Sequence, residues 1–131
     1  MTGGPQGATG LRRLTKRSEF LRAARGKRVG RPNFALQAGS VEDMAPGLGF
    51  TVSKQVGNAP ERNRVKRRLR AVARACAERF KPQHDYVLIG RRDALGAPFP
   101  VLVADLEQLL VRLDTATPNR HRADGRRNRG P

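Results

Sequence analysis

The sequence predicts a single small α+β domain in which a central sheet is covered by helices. Two segments, residues 33–38 and 48–54, alternate apolar and polar residues as half-buried strands do. A long segment from residue 59 to residue 80 has instead the 3.6-residue period of an amphipathic helix. The predicted elements follow in the order helix, two or three strands, long helix, strand, helix, which is typical of α+β proteins. At 131 residues the chain fits one domain.

The first predicted helix covers residues 18–25. Ser18 precedes the apolar residues of this segment as an N-cap, and Gly26 ends the pattern. Phe20 belongs to the apolar face of this helix, so an ordinary role in the core is one interpretation of it.

The two alternating segments each place one set of side chains toward the core and another on the opposite face. In the first, Phe34 and Leu36 alternate with Ala35 and Gln37. In the second, the inward residues are Leu48, Phe50 and Val52, and the others are Gly49, Thr51 and Ser53. The face away from the core is therefore predicted to carry small and polar side chains.

The long helix is predicted to run from Ala59 to Phe80. Its apolar residues recur at spacings of four, three, four and four, which gives one buried stripe. They are Val65, Leu69, Val72, Cys76 and Phe80. Residues 85–90 then predict a largely buried strand, and residues 99–113 predict a final amphipathic helix.

The two ends of the chain differ from this periodic part. Residues 1–10 contain four glycines and one proline without a charged side chain, and residues 115–131 are similar but basic. Neither segment can bury enough surface to offset its ordering entropy, so we predict that both are disordered. The folded domain is then residues 11–114.

The charge of the chain points to a polyanionic partner. There are 27 lysines and arginines against 11 acidic residues, a formal net charge of +16. Such self-repulsion is typical of a protein whose charge a partner neutralises, and nucleic acid is the first candidate. The apolar residues, 37% of the chain, cluster in periodic segments, which argues against a merely disordered basic chain.

Few features of the sequence suggest that the protein itself catalyses a reaction. The one cysteine, Cys76, excludes an internal disulfide and a CxxC pair. His84 and His121 are 37 positions apart and Cys76 lies on the apolar stripe, so we expect no metal site built from these side chains. The close acidic pairs lie in a loop or on different sides of a helix, so none resembles a catalytic carboxylate dyad. No apolar run approaches the roughly 18 residues of a membrane span, and residues 1–10 lack the apolar stretch of a signal peptide. We expect a cytoplasmic protein with no membrane partner and no obligatory protein partner.

The long helix is the most cationic part of the chain. Seven basic residues and no acidic one lie between Arg62 and Ala77. At 100° per residue, the arc opposite the apolar stripe carries Asn63, Arg67, Arg70 and Arg74, with Lys66 at its edge. A charge run is often only a solvated face, but like charges stacked at i,i+4 repel, and this internal cost favours an external anion. Arginine guanidinium groups spaced at one-turn intervals are well placed to form bidentate hydrogen bonds to phosphate oxygens.

Residues Gly49 to Arg70 carry a resemblance to a known family. The stretch GFTVSKQVGNAPERNRVKRRLR closely resembles the signature of the bacterial ribonuclease P protein family: a strand with an SVSK-like end, a GNA turn and an RNR helix. The opening LTKRSEF and the strand DYVLIGR extend the resemblance over about residues 11–114.

The resemblance implies an α-β-β-β-α-β-α fold with a central four-stranded sheet, of the ribosomal protein S5 domain 2-like kind. It also implies a ribonucleoprotein endoribonuclease in which the RNA subunit hydrolyses the phosphodiester with magnesium ions that it mainly holds itself. The protein would bind that RNA and the 5′ leader of precursor tRNA, and would be inactive alone. Positions matching the RNA-subunit surface are Arg62, Asn63, Lys66, Arg67 and Arg70, to which the helix phase adds Arg74.

The leader would lie in a cleft between the first helix and the sheet. The matching positions are Phe20, Ala35, Gln37, Thr51 and Ser53, with Lys54 close enough to add a phosphate contact. Ala24 and Gln37 stand where many family members carry aromatics. Because stacking contributes roughly 1–3 kcal/mol per base, leader affinity here is expected to depend more on charge and hydrogen bonding.

Two other classes of protein remain open from the sequence. Charge alone would favour a ribosomal or other structural RNA-binding protein, and a nucleoid DNA-binding module comes next. The coupling of the GNA turn to the RNR helix, together with a leader-sized cleft, separates the ribonuclease P interpretation from both.

Overall fold

The structure is a computed structural model that describes residues 11–115. Five strands and three α-helices are joined by short loops and by three 3-10 turns at Lys54–Val56, Ala77–Arg79 and Arg92–Leu95. The strands and helices in chain order are β1 (Arg12–Arg13), α1 (Arg17–Ala24), β2 (Lys27–Gly30), β3 (Phe34–Ser40), β4 (Gly47–Val52), α2 (Ala59–Ala75), β5 (His84–Gly90) and α3 (Phe99–Thr115).

The strands form one mixed sheet in the order β1-β4-β5-β3-β2. β4 and β5 are parallel neighbours joined through α2, whereas β3 pairs antiparallel with both β5 and β2. The predicted α+β class is therefore confirmed. The expected count of four strands is wrong, because β1 adds a fifth, two-residue strand parallel to β4.

Hydrophobic periodicity predicted neither β1 nor β2, which form the two edges of the sheet. β1 consists of two arginines, and its pairing depends on backbone bonds such as Arg12 N–H to the Pro46 carbonyl at 2.7 Å. The Arg12 guanidinium also donates to the carboxylate of Asp85 on β5 and to the Ala45 carbonyl at 2.7 Å. β2 has one apolar side chain, Val29, in its four residues. Neither segment is long enough for a two-residue period to be visible.

The sheet separates two apolar clusters. The larger one lies between the sheet and the helices α2 and α3, and the smaller one joins Leu14, Ala23 and Val87 under α1. Phe34 and Leu36 belong to the larger cluster, with Phe50 and Val52 packed at its edge. These positions confirm the predicted assignment of faces for β3 and β4.

α1 begins one residue earlier than predicted, and its cap is not Ser18. Arg17 is already helical, and Lys16 occupies the cap position. The Glu19 carboxylate accepts hydrogen bonds from the backbone N–H groups of Thr15 and Lys16, both at 2.9 Å. Those groups would otherwise lack partners at the helix start, so a glutamate within the first turn replaces the expected serine cap.

The predicted extent of α2 to Phe80 is wrong at its C-terminal end. The α-helix stops at Ala75, where Cys76 N–H bonds to the carbonyls of both Val72 and Ala73, and a 3-10 turn follows. That turn keeps Phe80 on the buried side, where its ring meets Tyr86 edge-on at 4.9 Å. The apolar residues keep their helical spacing across the change from α-helix to 3-10 turn. The spacing alone therefore could not show where the α-helix ends.

At the other end of the domain, α3 runs through Thr115, the first residue of the predicted basic tail. The disorder predicted for residues 1–10 and for the rest of 115–131 lies outside the described residues. Between residues 11 and 115, no helix is both long and apolar enough to cross a membrane.

Candidate nucleic-acid interface

A capping box fixes the start of α2. The Asn58 side chain accepts from the Glu61 N–H, and the Glu61 carboxylate accepts from the Asn58 N–H, each at 2.9 Å. The Asn58 N–H, followed by the Arg92 guanidinium, lowers the pKa of the Glu61 carboxyl below its usual value. Arg92 also donates to the Val56 carbonyl at 2.6 Å. The GNA turn and the first helical turn are thereby tied to the segment that follows β5.

The cationic face of α2, opposite its apolar stripe, points away from the core, as the helical phase predicted. Val65, Leu69 and Val72 are completely buried. The predicted outward residues Asn63, Arg67, Arg70 and Arg74 are all exposed, and Lys66 is half-buried at the edge. Among residues 11–115, no carboxylate pairs with these cations. This helix face therefore holds positive charge that the described part of the chain does not neutralise.

Arg62 differs from the other predicted cations. Its guanidinium donates to the Gly57 carbonyl at 2.8 Å, and its side chain is partly buried. Arg62 therefore holds the GNA turn against the helix. Any contact of Arg62 with RNA would use the remaining N–H donors of its guanidinium group.

One residue of the predicted leader set, Phe20, shares a cleft of about 370 Å³ with three of the predicted RNA-subunit contacts. Phe20 of α1 lines it on one side, and Lys66, Arg70 and Arg74 of α2 line it on the other. Between them lies Phe50, with the Arg70 guanidinium 5.8 Å from its ring centre. The sequence alone placed Phe20 and these cations on separate helices and did not show that they line one cleft.

Phe20 is both a packing residue and a wall of this cleft. Its ring packs at the edge of the cluster under α1, and the residue remains partly exposed. It lies so close to β4 that a Cβ at Gly49 would be only 2.7 Å from two ring carbons, so glycine is needed there. Phe20 is therefore a core residue on one side and a wall of the cleft on the other, so each of the two interpretations from the sequence accounts for part of its contacts.

The other predicted leader residues differ in accessibility. Ala35 is fully buried and Gln37 is only 7% exposed, whereas Thr51 is half-buried and both Ser53 and Lys54 are exposed. The first two can form only the floor of a leader site. The accessible part of the predicted set is therefore Phe20 together with the end of β4.

Sequence reasoning missed Arg91. It directly follows β5, and its N–H bonds to the Asn33 carbonyl at 3.1 Å. A Cβ at Gly30 would lie 3.7 Å from the Arg91 guanidinium and 3.8 Å from the Ala35 side chain, so this exposed arginine reaches over the sheet face that carries Ala35. The paired arginines after the strand DYVLIG were the only signal, and their direction depends on the sheet register.

The described residues offer neither a reactive thiol nor a cluster of metal-ligating side chains. Cys76 is buried as predicted, and that burial raises the pKa of its thiol, which disfavours the reactive thiolate. Residues 11–115 contain no group of three or more histidine, cysteine or acidic side chains that could hold a metal ion. His84 bonds to the Pro82 carbonyl at 2.9 Å, and His121 lies outside the described residues.

A small α+β domain with an unneutralised cationic helix beside an aromatic-lined cleft defines a protein of the RNA-binding class. Residues 9–114 match the family model described as Ribonuclease P. The chain belongs to this family.

Curated relatives and solved structures agree with the match. The chain is 44% identical over 118 residues to a ribonuclease P protein component of Ruegeria pomeroyi, covering 85% of this chain and 93% of that protein. It is 49% identical over 102 residues to that of Gluconacetobacter diazotrophicus, covering 75% and 87%. The Staphylococcus aureus RNase P protein structure superposes with a TM-score of 0.65 at 27% identity, covering 76% and 93%. That of Thermotoga maritima gives 0.67 at 26% identity, covering 76% and 96%.

Proposed function

We propose that this chain is the protein subunit of ribonuclease P, which binds the catalytic RNA subunit and the 5′ leader of precursor tRNA and promotes endonucleolytic removal of that leader. The observation that carries the proposal is one cleft lined both by cations of α2 that have no carboxylate partner within residues 11–115 and by the rings of Phe20 and Phe50. One wall offers charge to phosphates, and the other offers an aromatic ring to an unstacked base. The leader could therefore pass directly beside the RNA-binding helix.

In this proposal, α2 positions the RNA and takes no part in the hydrolysis itself. Its exposed arginines would bind phosphates of the RNA subunit, and Asn63 offers a neutral donor and acceptor for a base edge or a 2′-hydroxyl. Magnesium ions would be held mainly by the RNA subunit, as the resemblance to the ribonuclease P family implies. Hydrolysis would then belong to the RNA and its metal ions.

The leader end of the site would use Phe20, Thr51, Ser53 and Lys54 as its accessible contacts. Ala35 and the nearly buried Gln37 would form a small-residue floor, and we add Arg91 as a further cation over that floor. The mixture of one ring, two hydroxyls and cations favours contact with backbone and base without a strict sequence preference.

The RNA-free protein is expected to cleave no precursor tRNA, at any magnesium concentration. Added to its partner RNA, it should raise the cleavage rate most at low magnesium, because its cations partly replace ions that screen phosphate repulsion. Single-turnover cleavage of a labelled precursor across a magnesium series measures both effects. Magnesium-dependent cleavage by protein freed of RNA would contradict the proposed function.

Phe20→Ala is expected to reduce the preference of the holoenzyme for precursor over mature tRNA by roughly 5- to 150-fold, because a stacked base contributes roughly 1–3 kcal/mol. The salt dependence of binding to the RNA subunit should not change, since a ring releases no counterions. If α2 neutralises about five phosphates, the slope of log affinity against log salt is roughly −3.5 to −4.5 in both proteins. Equilibrium binding at two salt concentrations measures both quantities.

Two control variants separate stacking from packing. Phe20→Leu keeps an apolar side chain against Gly49 but removes the ring, and Leu21→Ala removes a neighbouring apolar side chain that is 49% exposed on the same helix. We expect Phe20→Leu to behave as Phe20→Ala does, and Leu21→Ala to behave as wild type. A folded Phe20→Ala protein with unchanged precursor preference would make Phe20 a core residue only.

A further inference from the structure

A second groove, separate from the cleft, lies on another side of α2. It has a volume of about 560 Å³ and is bounded by the chain that leads into α3. Its lining includes Arg64, Arg67, Arg68, Gly96, Ala97 and Phe99. Of these residues, only Arg67 belongs to the predicted RNA-binding set, so the groove has no assigned ligand.

Phe99 supplies the groove with an accessible aromatic ring. It is the first residue of α3 and is 42% exposed, although apolar rings usually lie inside a domain. Prolines on both sides, Pro98 and Pro100, restrict the backbone that carries it. A single exposed apolar residue is ordinary on a protein surface. The unusual feature here is its position beside two arginines, Arg64 and Arg67, that have no carboxylate partner within residues 11–115.

The charge around this ring is positive. Arg64 and Arg67 are exposed, and within residues 11–115 neither has a carboxylate partner. Arg68 donates to the Ala97 carbonyl and thereby holds the groove floor to α2. The first turn of α3 carries no acidic side chain, so the positive end of its dipole adds to the field. The ligand that this field favours is an anion.

We propose that this groove binds an unpaired nucleotide of the partner RNA, with its base stacked on Phe99 and its phosphate on Arg64 and Arg67. The inference rests on the proposed function, because it adds a second contact with the same RNA. Aromatic stacking combined with guanidinium–phosphate pairing is how single-stranded nucleic acids are commonly held. A protein partner is disfavoured, since one ring between like charges is small beside the roughly 800 Å² per partner that stable interfaces bury.

Gly96 allows the groove to be blocked without disturbing the fold. A Cβ built there meets no atom within 4 Å, and the backbone, at φ −107° and ψ −7°, lies in a region open to any residue. Gly96→Glu would place a carboxylate in the groove, whereas Gly96→Lys adds a side chain of similar length with the opposite charge. The pair separates repulsion of an anion from simple filling of space.

The test is the affinity of the full chain for the ribonuclease P RNA, measured at two salt concentrations. We expect Phe99→Ala to weaken binding about tenfold without changing the salt slope, because the lost contact is neutral. Gly96→Glu should weaken binding at least as much, and Gly96→Lys should weaken it less. Val111→Ala, which shortens a 61% exposed side chain elsewhere on α3, is the matched control and should bind as wild type does.

Wild-type affinity in both Phe99→Ala and Gly96→Glu would overturn the inference and leave the groove to an acidic protein segment. The proposed function fails in a different way. If the unaltered chain binds the ribonuclease P RNA no better than an unrelated RNA of equal length, the partner itself is wrong. Circular dichroism of each variant shows that the changes in affinity are not changes in folding.

Discussion

Arg12→Ala is expected to lower the free energy of unfolding by about 3–5 kcal/mol, a large fraction of the roughly 5–15 kcal/mol that stabilises a small domain. The Asp85 carboxylate is only 3% exposed, and the Arg12 guanidinium is its ion-pair partner. The same guanidinium donates to the Ala45 carbonyl at 2.7 Å. Truncation would therefore leave a buried charge unpaired and release β1 from the loop before β4.

The neighbouring arginine provides the control. Arg13 lies in the same strand but is exposed, so Arg13→Ala should change stability by less than about 0.5 kcal/mol. Urea denaturation of the two variants measures the difference. Arg12→Lys keeps the charge but not the forked geometry and should fall between them. Equal midpoints for Arg12→Ala and Arg13→Ala would show that the Arg12–Asp85 pair contributes no net stability.

Sequence periodicity predicted the parts of the fold whose hydrophobic pattern is long enough to repeat. The stripe through Val65 and Leu69 and the alternation at Phe34 and Leu36 both correspond to buried faces. β1 has only two residues, and its position depends on a contact between Arg12 and Asp85, which are 73 residues apart in sequence. No local pattern carries such information.

The same limit applies to the candidate site. Helical phase correctly separated the exposed cations of α2 from its buried stripe, because it depends only on spacing along one element. The cleft that joins Phe20 to Arg70, and the position of Arg91 over Ala35, depend on how distant elements pack. The strand alternation also could not reveal that Gln37 is nearly buried, since α1 covers part of the sheet face that was expected to be open.

Leu69→Ala is the second change for which we expect a large effect, a loss of about 2–5 kcal/mol in the free energy of unfolding. Leu69 is completely buried at the contact between α2 and β5. The contact is close, because a Cβ at Gly90 would lie 2.6 Å from the Val65 side chain and 3.1 Å from that of Leu69. A helix already held this near the sheet has little room to move into the space that the leucine leaves.

Arg67→Ala on the same helix should have the reverse effect. Its side chain is exposed and has no carboxylate partner within residues 11–115, so its loss should change the unfolding midpoint little while weakening binding to the RNA subunit and reducing the salt slope by about one unit. Leu69→Ala should bind with nearly wild-type affinity at temperatures where it remains folded. Because RNA binds only the folded chain, excess RNA should also raise the melting temperature of Leu69→Ala. If Arg67→Ala unfolds the domain and Leu69→Ala leaves it stable, the assigned phase of α2 is wrong, and the cationic face cannot be the RNA-binding surface.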